Sequence, residues 1–334
     1  MSFWLSQSSR RAYRAGAAVL VATALGSLPL AGPAGALQRP GPASSSSSAP
    51  TTSACTVGTI PTCHYPNWAG EMVVLPGTVP VAKFVATFPV ARLDCALSPS
   101  RSRLAEWVGF GGVQVALSAP DNLVQAGVQG ICTNGTASYS AFWEYVNTQL
   151  PANDEQGASP FPPDHATAPL VVRPGQFVHV QIWPPRYSGS GYWTISFSIS
   201  SAEDAGYVST TYENITNAVR VGATAEVVYE TPVIGTNKYG DAVESPLAQF
   251  GYACCANGSL LLGRGGSGLD YAEYNVVKGA LIEPTPLPAG LPAKLEAYQL
   301  VMERGQTTLA NVAFGGRDQT DFYVRWVASG GLWG

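Results

Sequence analysis

Tyr192-Trp-Thr-Ile-Ser-Phe-Ser-Ile-Ser200 decides the fold of this chain. Trp193, Ile195, Phe197 and Ile199 fall on one side of an extended backbone, and Thr194, Ser196 and Ser198 on the other, because side chains alternate along a strand. The alternation predicts a strand that sends four large apolar side chains into a core and its polar ones outward. Working outward, Gly175–Trp183 repeats the pattern with Val178, Val180 and Ile182. Shorter runs of the same kind lie at Glu71–Leu75, Trp107–Leu117, Ala225–Glu230 and Phe322–Val327. Turn clusters such as Pro160–Asp164 and Ser188–Gly191 separate them, no stretch holds a helical period over three turns, and no internal repeat occurs. Regularly spaced short strands predict an all-β sandwich of two antiparallel sheets packed face to face rather than βαβ units.

Of the 334 residues 46% are apolar and 12% charged, enough apolar content for a core and a low share of charge. Four of the 18 basic residues are lysine, and no basic run lies outside the extreme N-terminus, which argues against a nucleic-acid partner. Arg10, Arg11 and Arg14 precede an apolar stretch from Ala15 to Leu30, and Ala34-Gly-Ala36 fits a small-x-small cleavage site. Residues 1–36 therefore read as a secretory signal peptide of a secreted protein, and Arg10-Arg11 leaves Sec and twin-arginine export both open. Gly26, Pro29 and Gly32 interrupt the apolar run, which argues against a membrane anchor. Residues 37–54, rich in Pro, Ala and Ser with serines at Ser44–Ser48, read as a linker or pro-segment. Residues 55–334 remain for one folded domain, expected to be a monomer that makes no membrane contact after signal removal.

Six cysteines in an exported chain point to disulfides rather than metal. Cys55 and Cys63 are expected to pair; Cys95, Cys132, Cys254 and Cys255 allow several connectivities. His64, His165 and His179 are isolated and no zinc spacing exists, so no metal or other cofactor is expected. Gly263–Gly268 matches GxGxxG but lacks a strand-then-helix context. No GxSxG elbow occurs, and Asp164-His165 has no evident nucleophile. No paired aspartate motif suggests a bilobal aspartic protease.

What remains is a small set of polar residues on aromatic-rich strands. Leu123-Val-Gln-Ala-Gly-Val-Gln129 places Gln125 in an apolar run, where an amide can satisfy a turn or donate to a ligand. Glu144 shares a strand face with Phe142 and Val146, and Glu230 shares one with Glu226 and Val228. Apolar flanks desolvate a carboxyl and raise its pKa, which suits acid–base work. Solvent-facing strand residues carry such charges equally well.

Taken in order, the pieces resemble the glutamic peptidases (eqolisins), secreted acid endopeptidases with a lectin-like, concanavalin-type β-sandwich. Asn67–Gly70 (NWAG) is similar to the family's Asn-Trp-Gly/Ala-Gly, and Trp107–Gly112 (WVGFGG) to its Trp-Val-Gly-Ile-Asp-Gly. Leu123–Val128 (LVQAGV) is similar to Leu-Gln-Thr/Ala-Gly, and Tyr139–Tyr145 (YSAFWEY) to Tyr-x-Ala-Trp-Tyr-Glu-Trp. Ala225–Glu230 (AEVVYE) and Pro246–Gly251 (PLAQFG) follow in family order, so the resemblance runs over about residues 65–255.

The resemblance implies polypeptide substrates and a catalytic pair at Gln125 and Glu230, with Trp68, Trp107, Phe142 and Glu144 around a substrate cleft. A glutamate near its reference pKa of ~4.3 is ionised in mild acid and can take a proton from water. An amide N–H₂ can then donate to the oxygen on which charge develops. Three family residues are replaced: the aspartate of Trp-Val-Gly-Ile-Asp-Gly by Gly111, the aspartate before Ala141 by Ser140, and the tryptophan two before Glu144 by Phe142. Two readings of other classes stand beside it: a catalytically weakened sandwich that binds protein or carbohydrate, favoured by the missing acids, and a glycosidase using Glu144 and Glu230.

Overall fold

The structure, a computed structural model, describes residues 55–56, 61–77, 81–113, 122–146, 156–160, 170–186, 188, 191–201, 209–215, 223–238, 242–264, 270–282, 287–288, 290–315 and 321–330. The expected signal and linker segments, Asp164-His165 and the end of the Trp107–Leu117 run lie outside them. Among the described residues there are nineteen strands and no helix, so none is long and apolar enough to cross a membrane.

The stretch Trp193–Ser200 is a strand flanked on both sides, by Phe177–Trp183 and Ser209–Ile215. Trp193, Ile195, Phe197 and Ile199 are buried as the alternation requires. Ser196 and Ser198 are buried too, against expectation. They pair with Gln181 and His179 of the next strand, and a serine is small enough to sit beneath such longer neighbours. Phe177–Trp183 pairs in turn with Val81–Pro89, and that strand with Tyr252–Arg264.

A second group of strands runs Gln156–Pro160, Thr136–Val146, Leu123–Thr133, Arg103–Gly111, Thr224–Glu230, Trp68–Val74, Glu296–Arg304. Almost every pairing is antiparallel; Glu296–Arg304 also pairs in parallel with Thr62–Tyr65. Tyr252–Arg264 serves both groups, meeting Asp321–Trp326 with its first residues and Val81–Pro89 and Asp270–Asn275 with its later ones. Seventeen strands thus form one hydrogen-bonded network, where the sequence reading had two separate sheets. A register irregularity between Ala253 and Ala256 bends the shared strand from one partner set to the other.

The main core draws Phe84, Val180 and Phe197 from the first group and Val108, Ala126 and Val227 from the second. On the far face of the second group lies a smaller apolar cluster containing Trp68, Met72, Trp107, Leu123, Phe142 and Val228. Its strands are therefore buried on both faces, which explains their near-continuous apolar sequences. One hairpin in this group fixes the register that matters. Asn134 and Gly135 turn with φ of 51° and 80°, the left-handed pair that a two-residue hairpin loop of the right twist needs. The turn sets Thr133 opposite Thr136 and, further along the same ladder, Gln125 opposite Glu144.

Cys95 and Cys132 form a disulfide, with Cα atoms 5.2 Å apart. Cys63 is also disulfide-bonded, and Cys55 stands opposite it in the first ladder.

Candidate active site

All six residues singled out in the sequence share the far face of the second strand group. Gln125 and Phe142 are buried, as are Trp68 and Trp107, while Glu144 and Glu230 are half-buried. The ladders put Met72, Glu226, Gly109, Gln125 and Glu144 in one lateral row. Trp68, Glu230, Ala105, Gln129 and Ser140 form another. Gln125 is therefore in register with Glu226, and Glu230 sits four residues further along its strand.

Glu144 bridges that offset. Gln125 Nε2 donates to Glu144 Oε2 at 2.5 Å, while the negative charge of Glu144 acts on the Glu230 carboxyl. A carboxylate only accepts, so this contact turns the amide N–H₂ toward the acids and the carbonyl away. Gln125 Oε1 is buried and makes no hydrogen bond. Such an orphaned acceptor costs stability unless something repays it.

Glu230 is held from the other side. Trp107 Nε1 donates to its Oε2 at 2.7 Å, and Asn67 Nδ2 to its Oε1 at 3.1 Å. Burial first, and the charge of Glu144 second, push the Glu230 carboxyl up to about 8. The N–H groups of Trp107 and Trp68 oppose the shift, although Trp68 Nε1 completes no hydrogen bond of good geometry and acts only as a nearby dipole. The residue nonetheless keeps part of its surface in solvent. A neutral, reachable carboxyl in a crowded site can give a proton. This corrects the expectation that Glu230 is ionised in mild acid.

The aromatic residues form walls. The Trp68 and Trp107 rings meet edge to face at 5.0 Å and 79°, and Tyr65 lies 5.9 Å beyond Trp68. Gly127 sits in the ladder between Trp107 and Phe142. A Cβ there would come within 2.0 Å of the Glu106 carbonyl oxygen, which accounts for glycine in LVQAGV. Gly111, in place of the family's aspartate, has φ of 89°, a backbone that a side chain strains. Ser140, at the second departure, is exposed.

Two partners of the site were not singled out from the sequence. Asn67 was visible only as part of NWAG, and Glu226 as an ordinary strand residue. Glu226 is fully buried, its carboxyl raised well above the ordinary range by desolvation. Among the described residues no group of three or more His, Cys, Asp or Glu could hold a metal ion.

A family model described as the Peptidase A4 family matches residues 66–278. No curated protein matches. Solved structures similar to this chain include scytalido-glutamic peptidase with a peptide-based transition state analog, at 14% identity and a TM-score of 0.46, covering 78% of this chain and 98% of that one. Another is aspergilloglutamic peptidase from Aspergillus niger, at 16% identity and a TM-score of 0.37, covering 68% of this chain and 99% of that one. The matched span holds the site and all the motifs from Asn67 to Gly251, and the chain belongs to the Peptidase A4 family of glutamic endopeptidases.

Proposed function

We propose that this is a secreted, acid-acting endopeptidase in which Gln125 and Glu230 are the catalytic pair. The observation that carries the reading is the chain Gln125–Glu144···Glu230: an oriented amide donor and a carboxyl raised to about 8, joined by a second acid. In acid Glu230 is neutral. One of its oxygens gives its proton to the scissile carbonyl oxygen while the other takes a proton from the attacking water. The C–O bond forms, the carbonyl π pair moves to oxygen, and Glu230 ends the step neutral. Gln125 N–H stabilises the oxygen as charge shifts onto it. Glu230 then passes a proton to the leaving amine as the C–N bond breaks and the gem-diol hydroxyl returns one to the carboxylate. Trp68, Trp107 and Phe142 wall the substrate cleft, and Glu144 orients the amide.

Two strand groups sharing one core support a concanavalin-type sandwich whose ladders are fused through Tyr252–Arg264. Residues 1–36 act as signal peptide and 37–54 as linker or pro-segment, so that 55–334 is the secreted domain, a monomer. Cys55 lying opposite the oxidised Cys63 supports a bond between them.

Digestion of an unfolded protein substrate by purified full-length protein, over acid to neutral pH, tests the pair. Glu230→Gln should abolish cleavage while leaving the fold intact. Gln125→Ala should lower kcat by about 10²–10³-fold, the cost of one oxyanion donor. Cleavage by Glu230→Gln at the wild-type rate would refute the assignment.

A further inference from the structure

The residues after 278 lie beyond the family match, yet one of them reaches the back of the site. Arg304 ends the strand Glu296–Arg304, which pairs with Trp68–Val74 and with Thr62–Tyr65. Its side chain is 3% exposed. Arg304 Nε donates to the Pro66 carbonyl at 3.2 Å, and Nη2 to Thr231 Oγ1 at 2.6 Å and to the Ser245 carbonyl at 3.2 Å. Nη2 also meets Glu244 Oε2 at 2.6 Å. Two of these contacts touch the immediate neighbours of site residues. Pro66 precedes Asn67, and Thr231 follows Glu230. Thr231 N donates to the Asn67 carbonyl at 2.9 Å, and Asn67 Nδ2 donates to the Glu230 carboxyl. One guanidinium thus ties the segments Pro66–Asn67, Glu230–Thr231 and Glu244–Ser245 where the site strands end.

Stability alone does not explain the pair. Burial lowers Arg304 and raises Glu244 despite their mutual attraction, and buried pairs of this kind often add little net stability. The planar fork does fix the spacing of four oxygens, which an ammonium cannot. The charge of Glu244 also reaches Glu230. The charged groups acting on Glu230 are Glu144 from Thr136–Val146 and, more weakly, Glu244; Arg304 balances the second.

We propose that Arg304 is a positioning residue for Glu230: it clamps the Glu230–Thr231 strand end against Asn67 and cancels the charge of Glu244 beside it. The proposal rests on Glu230 being the proton carrier described above. Peptide hydrolysis by the full chain, followed as kcat, KM and the pH profile, tests it on Arg304→Met, Arg304→Lys and Arg304→Met/Glu244→Gln, with near-UV circular dichroism reporting the fold. Arg304→Met should lower kcat roughly ten- to a hundredfold, the cost of a small misplacement, with KM little changed. Its alkaline limb should move up in pH, because unbalanced Glu244 disfavours ionised Glu230. Adding Glu244→Gln should return the limb to its wild-type position and leave kcat low. Arg304→Lys should keep the limb and recover kcat only in part; if Arg304→Met does not fold, this variant decides. Wild-type kcat and pH profile in a folded Arg304 variant, or a loss matching only its unfolded fraction, would overturn the proposal. Cleavage surviving in Glu230→Gln would instead refute the catalytic pair, so the two failures are distinguishable.

Discussion

Glu230 is governed by neighbours that pull in opposite directions, and each can be removed separately. Trp107 donates to the carboxylate and holds its pKa down, whereas Glu144 repels it and drives it up. Since the neutral carboxyl is the working form, activity should be highest in acid and fall as pH rises through the raised pKa of Glu230. Trp107→Phe removes a donor to the ionised form, so the alkaline limb should move to higher pH. Glu144→Gln removes the like charge, so the limb should move to lower pH. Measured kcat profiles that shift the same way in both variants would contradict this electrostatic account. The sequence made Gln125, Glu144 and Glu230 visible through alternation and motif order, and all three share a face. It did not reveal that Glu230 is neutral in acid, because that depends on burial and on a carboxylate brought close from another strand. The Asn67–Glu230 bond joins residues 163 apart, and nothing in NWAG alone points to it.

At the scale of the strand, glycine carries as much of the site as the acids do. Gly127 lets Leu123–Thr133 close on Arg103–Gly111 beneath the Trp107 ring, since a Cβ would meet the Glu106 carbonyl oxygen at 2.0 Å and Trp107 Cα at 2.6 Å. Backbone cannot give way as a flexible side chain does. Gly127→Ala should therefore destabilise the protein by about 1–3 kcal/mol or more, read as a lower urea midpoint, and should weaken activity by shifting Trp107 off Glu230. The strands themselves were legible because their periods are short and local: Val81–Pro89 alternates perfectly in burial, as do Phe177–Trp183 and the apolar side of Trp193–Ser200. Lateral register was not legible. That Gln125 lines up with Glu144 follows from the Asn134-Gly135 turn, and that it lines up with Glu226 rather than Glu230 follows from the pairing of strands far apart in sequence. Arg304 gave no signal at all, one charge at a strand end being the commonest of surface features.

The whole molecule is unusual in how many acids it encloses. Glu71, Glu106 and Glu226 are buried, and with Glu230 all four are raised by desolvation, Glu106 to about 8. Each keeps its proton to a higher pH in the folded chain than in the unfolded one. Between the unfolded value of 4.5 and the raised folded value the unfolded state binds fewer protons, so stability falls as pH rises. Thermal midpoints should therefore be highest in acid and drop steadily toward pH 8, the reverse of a protein whose carboxylates are stabilised by salt bridges. A midpoint that rises over that interval would show these acids to be ionised in the fold.

The Cys95–Cys132 bond closes a stretch that contains all of Arg103–Gly111 and nearly all of Leu123–Thr133. A peptidase lives among copies of itself, and its own chain is the substrate at highest local concentration. A nick anywhere between Val113 and Asn122 leaves Trp107 on one fragment and Gln125 on the other, still covalently joined at their outer ends. The nicked enzyme should remain one particle and keep its activity. Denaturing electrophoresis should resolve two pieces only after reduction, because Cys95 and Cys132 lie on opposite sides of the nick, while in solution the ladders across the nick should hold the reduced fragments together.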